Sequence, residues 1–213
     1  MRSALGTIAA VFITSFAHDA LADAPEGRVQ FDVTAGVVLP GNMTPKQVFP
    51  THTGVGPIVR LESGFAPIAN LEFGPYFSLS SHPVNSIDGF AGYDQSGSIL
   101  VFSGGAMIKA RFALTSWLTM RLGAYFGLNY TSAFIAHKGG GGEAMPGMGF
   151  GLGPLVDLRF KIAPHFAALF QIGFVSQPVG TAIFPSDTSR PNESVGFAYP
   201  PMLFFNVGPE IFF

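Results

Sequence analysis

Hydrolytic chemistry most often needs a serine nucleophile, a histidine base and an acid that orients the histidine. His52, His82 and His137 fall in three separate polar stretches, with Ser80, Ser81 and Ser86 close to His82; His165 stands beside a short turn further on. No His-x-Ser pair joins these groups, so they read as solvated loop histidines and no catalytic residue is assigned. No two of the three loop histidines are close in sequence, so no spacing supports a metal site. Gly139–Gly142 is a flexible tip without the Lys-Ser/Thr pair of a phosphate loop. The chain has no cysteine, which removes disulfides, thiolate ligands and a lipid-anchoring thiol. No cofactor is expected, and no enzyme.

The charged side chains carry more information. They are 11 % of the 213 residues, against about 25 % in ordinary soluble domains. A net charge of -2 offers no basic field for nucleic acid. With 27 Gly, 17 Pro and 23 Phe, the chain is too apolar for disorder and too rich in glycine for a helical bundle. The elements that hold the charges alternate strictly. In Leu118–Thr131, Leu118, Met120, Leu122, Ala124, Phe126 and Leu128 share one phase, and Thr119, Arg121, Gly123, Tyr125 and Asn129 the other. A period of two means a strand with one apolar face.

The same pattern recurs in eight segments, at about 29–39, 55–65, 68–80, 98–112, 117–132, 148–162, 165–176 and 202–213. The seventh is the least regular, because Ala167 and Leu169 stand in its polar phase. Eleven charges fall in these segments: Asp32, Arg60, Glu62, Glu72, Lys109, Arg111, Arg121, Asp157, Arg159, Lys161 and Glu210. All eleven take the phase opposite the apolar residues. Each segment is long enough to cross the hydrocarbon when tilted, which takes roughly 9–11 residues. In a barrel the apolar phase meets lipid and the charges meet the lumen, where buried charges must pair. The stretch 162–186 is long enough for a helical span, but three prolines and two glutamines interrupt it.

Short links at Ala66-Pro67, Leu114–Ser116 and Ala163-Pro164 alternate with long ones at 40–54, 81–97, 133–147 and 177–201. Short turns on the periplasmic side and long loops outside are the asymmetry of outer-membrane barrels. Trp117 stands by a short turn, the place of the interfacial aromatic belt. Gly-Pro occurs within four segments, at Gly56-Pro57, Gly74-Pro75, Gly153-Pro154 and Gly208-Pro209, and bulges or kinks that curve the sheet are expected there. Residues 1–22 read as a secretory signal: Arg2, an apolar run, and Ala20-Leu21-Ala22 as an A-x-A cleavage site. The barrel domain would then span 23–213.

These features resemble the OmpA-type eight-stranded outer-membrane β-barrels. The matching residues are the A-x-A signal, the eight alternating strands with three tight turns and four long loops, and a last strand ending in Phe213. Phe205, Val207 and Ile211 share the phase of Phe213. The resemblance implies that this closing strand is read by the barrel-assembly machinery. The expected fold is all-β, an eight-stranded antiparallel up-and-down transmembrane β-barrel in the bacterial outer membrane. It is expected to be a monomer whose partners are outer-membrane lipids, with extracellular ligands at the loops. The expected role is structural or surface interaction, with the lumen plugged by the charge network. The alternatives are a narrow channel or transporter for small or hydrophobic solutes, and a lipid A-modifying enzyme.

Overall fold

The computed structural model describes residues 29–39, 42–43, 51–87, 93–137, 142–177, 179–183, 194–196 and 199–213. The signal segment 1–22 lies outside the described residues. Twelve strands run in chain order: β1 (Val29–Val38), β2 (Asn42–Met43), β3 (Thr51–Thr53), β4 (Gly56–Ile68), β5 (Leu71–Ile87), β6 (Tyr93–Ala113), β7 (Leu118–His137), β8 (Gly142–Ala163), β9 (Phe166–Gln177), β10 (Val179–Ile183), β11 (Ser194–Gly196) and β12 (Tyr199–Phe212). Eight of them close a cylinder. Each of β1, β4, β5, β6, β7, β8, β9 and β12 pairs antiparallel with its neighbour, and β12 returns to β1. Closure removes the unpaired edges that lipid cannot satisfy. Among the described residues no helix is long and apolar enough to cross a membrane.

Burial follows the period of two. In β1, Gln30, Asp32, Thr34 and Val38 point inward, while Phe31, Val33 and Val37 are exposed. Phe77, Leu128 and Val207 are each 60–62 % exposed, bare apolar surface of the kind that faces lipid in a membrane barrel. The belt is partly pre-packed by ring contacts, such as Phe65 against Phe73 at 5.8 Å and Phe31 against Phe213 at 6.5 Å. Trp117 is exposed at a short turn and stacks on Phe160 at 6.1 Å. In β9, Ala167 and Leu169 face inward with Gln171, so the seventh segment keeps its phase despite its apolar lumen side.

Three expectations need correction. The turn between β4 and β5 is Ala69-Asn70, not Ala66-Pro67. Ala66 is buried and Pro67 is exposed on a strand that runs on to Ile68, with a register shift between Phe65 and Ile68. The described parts of the long links include strand as well. β5 continues to Ile87 and β7 to His137, and β8 starts at Gly142, because a hairpin ladder propagates while both strands extend. The Gly-Pro pairs, finally, are not bulges, since the ladders run through them in register.

The four Gly-Pro pairs share one geometry. Each proline points outward and is exposed. The space where a side chain on Gly56, Gly74, Gly153 or Gly208 would begin is taken by a backbone oxygen, from Ser81, Ser63, Phe174 or Val33 respectively. The register places each of those residues across from the proline. The neighbouring carbonyl therefore leans over the inward glycine, an approach that a Cβ would block. Gly36, Gly105, Gly123 and Gly127 are approached in the same way without a following proline. The close approach belongs to the glycine; the proline marks the adjoining lipid face.

Candidate functional site

All eleven charges keep the inward phase, and ten of them are buried, each at most 9 % exposed. Arg121 of β7 stands at the centre. It reaches Asp32 at 3.2 Å, Asp157 at 3.1 Å, Glu210 at 2.9 Å and Glu72 at 3.3 Å. Lys109 of β6 meets Glu62 at 2.5 Å and Asp157 at 2.7 Å, with Asp32 at 3.9 Å. Arg60 pairs with Glu62 two residues on, and Arg159 pairs with Glu210. Arg111 lies 3.7 Å from Glu72. Five acids thus face five bases. Water is excluded from nearly all of them, so the pairing must offset a desolvation cost of several kcal/mol per ion.

Neutral groups extend the network. Gln30 accepts from Arg121 at 3.3 Å, and Gln171 donates to Glu62 at 3.1 Å. Asn206 donates to Thr34 and to Gln171, both at 3.3 Å. Arg60 lies over the rings of Tyr76 at 4.3 Å and Tyr125 at 4.6 Å, a cation-π clamp that holds it where its carboxylate partner can be reached. Lys161 is the exception among the predicted charges. It keeps the inward phase but sits at the short-turn rim, where it is exposed and outside the buried network.

An apolar cluster packs against the network inside the barrel. It comprises Val38, Ile58, Tyr76, Ile99, Val101, Met107, Tyr125, Leu155, Met202 and Phe204, each at most 3 % exposed. Sequence reasoning missed it, because the phase of each strand was set by its apolar majority and these residues stand in the minority phase. Val38, Ile58, Ile99 and Met202 share the long-loop half of their strands, a coincidence of position that could have revealed it.

The histidines are placed differently from expectation. His82 lies on β5, not in a solvated loop, and is fully buried. Its Nε2 is 2.9 Å from Ser80 Oγ, while Nδ1 has no hydrogen-bond partner. The pair faces the lumen, with Ser80 4 % exposed, and among the described residues no acid orients the ring, so two parts of a hydrolytic triad stand there without the third. His165 is exposed in the turn Pro164-His165, with Nδ1 3.1 Å from the Phe212 carbonyl. His52 and His137 fall on β3 and β7; their side chains lie outside the described residues. Among the described residues no group of three or more His, Cys, Asp or Glu side chains is arranged to hold a metal ion.

On the closing strand, Val207, Ile211 and Phe213 are exposed outward, and Phe205 is half-buried on the same face. Asn206, Glu210 and Phe212 point into the barrel.

An apolar belt outside, a charged and packed interior, and eight antiparallel strands closed on themselves define a transmembrane barrel of the outer-membrane class. Solved structures agree. The chain is similar in fold to the outer membrane protein OprG from Pseudomonas aeruginosa, with a TM-score of 0.66 and 13 % identity over 88 % of this chain and 96 % of that one. It is similar to Neisserial surface protein A, with a TM-score of 0.53 and 14 % identity over 87 % and 97 % of the two chains. A major outer membrane protein from Thermus thermophilus matches with a TM-score of 0.51 and 14 % identity, over 87 % and 99 %. No protein-family model and no curated protein sequence matches the chain.

Proposed function

We propose that this protein is an integral barrel of the bacterial outer membrane with a structural or surface-interaction role, its lumen closed to ions. The observation that carries the reading is the interlocked set of five acids and five bases, none more than 9 % exposed, packed against an apolar cluster. Eight strands enclose a space that side chains can fill, and the buried charges and apolar cluster inside support that reading. An ion would have to break several paired charges in a medium of low dielectric to pass. The interior acts as a second core, and recognition falls to the long hairpins at the opposite end from the short turns. The outward apolar residues Phe205, Val207, Ile211 and Phe213 would present the closing strand to the assembly machinery.

Planar-bilayer recording tests the closed lumen. The purified barrel should give no stable single-channel steps. Reproducible steps that change size on substituting Lys109 or Arg121 would overturn the reading in favour of a conduit.

A further inference from the structure

We propose that the short-turn mouth of the lumen binds a soluble carboxylate-bearing anion, held by Arg111, Arg159 and Lys161. Arg111 and Arg159 are near the ends of β6 and β8, and Lys161 is the next inward position on β8. The register brings them together. Arg111 lies across from Arg121, and Thr119, two residues before Arg121 on the same face, lies across from Arg159. One strand separates the two guanidiniums.

The charges at this mouth are unevenly matched. All five described lumen acids are buried, and the carboxylates of Glu72 and Glu210 already serve Arg121. Among the described residues Arg111 has only the Glu72 oxygen at 3.7 Å, beyond hydrogen-bonding distance, and its Nε and Nη1 make no hydrogen bond although the residue is 9 % exposed. Arg111 also stands directly across from a like charge, an arrangement that is unfavourable by itself. Lys161 adds a positive charge to a network otherwise balanced at five and five. No acidic side chain is exposed at this end among the described residues.

A carboxylate suits these donors. Guanidinium groups present a planar fork that matches its two oxygens, and Lys161 supplies a point charge beside them. Arg159 already pairs with Glu210 through Nε and lies with its guanidinium 4.2 Å from the Phe212 ring, which fixes it at this mouth beside Arg111. Both arginines stand on the lumen side of the wall. The ligand therefore arrives along the barrel axis from the aqueous phase, whereas a lipid headgroup would approach from the outer face. The site needs only the barrel, so it holds whether or not the lumen conducts.

Trp117 provides a reporter. It is the single tryptophan of the chain, and its carbonyl accepts the backbone N–H of Lys161 at 2.8 Å. The full barrel in zwitterionic nanodiscs should show a saturable change in tryptophan fluorescence with triglutamate and none with trilysine. Lys161→Gln and Arg111→Gln should each weaken triglutamate binding by about tenfold. Lys161 is exposed, so its variant tests the site even if Arg111→Gln does not fold. No saturable change, or an affinity unchanged in Lys161→Gln, overturns the proposal. A fluorescence change on adding phosphatidylglycerol to the disc without peptide assigns the site to a headgroup and overturns it too.

Discussion

Arg121 contacts four carboxylates and is itself fully buried, which makes it the most consequential side chain of the interior. Replacing it by methionine leaves those carboxylates without their shared cation. Arg121→Met should cost about 3–5 kcal/mol, the range for breaking one side of a buried ion pair, measured by denaturant unfolding of the barrel in lipid. Adding Asp157→Asn to that variant should recover part of the loss, because one surplus negative charge is then removed. That the charges face inward was legible in the sequence, since a period of two allows only two faces. Their pairing was not. Which acid meets Arg121 depends on strand stagger and side-chain reach, as with Gln30 and Asp32, which approach it from a strand some 90 residues away. Lys161 shows the complementary limit: its phase was readable, its height at the rim was not. His82 was misplaced because Pro83 and the neighbouring serines have the composition of a loop. The strand nonetheless runs through them, with Pro83 on the outer face.

Strands express the same physics through their two faces. Leu122 is 40 % exposed on the lipid side of β7, four residues in from its short-turn end. Leu122→Arg should cost about 2–4 kcal/mol in unfolding experiments in bilayers. Thr119→Arg, on the inward face at the mouth, should cost less; equal losses would contradict the assignment of faces. Gly208 and Pro209 separate two roles that are adjacent in sequence. Gly208→Ala drives a methyl group into the Val33 carbonyl and should destabilise by about 1–3 kcal/mol, as overpacking does. Pro209→Ala, on the exposed face of an in-register ladder, should be close to neutral by the same measurement. The existence, order and phase of the eight long strands were visible because alternation repeats over ten or more residues. Their outer ends were not, because a hairpin ladder extends through serine, proline and glycine when its partner strand is already aligned.

As a whole molecule, the barrel is a membrane protein with two cores, one shared with lipid and one inside the cylinder. It should run as a compact band on gels when unheated and shift on boiling, and a single position under both conditions would count against a closed cylinder. The pairing of β1 with β12 has a further consequence, in the order of events. Phe213 donates its backbone N–H to Val29 at 3.0 Å, so residues separated by nearly the whole chain meet at one seam. Until that seam zips, every partial sheet carries two open edges, each a template for a stranger's strand. Bringing such distant segments together must also overcome a loop-closure entropy that nearby hairpins avoid. The final step of assembly is therefore the one expected to be slowest and most exposed to aggregation. A helper that shields an edge through the closing strand would shorten the interval during which the sheet is exposed to aggregation.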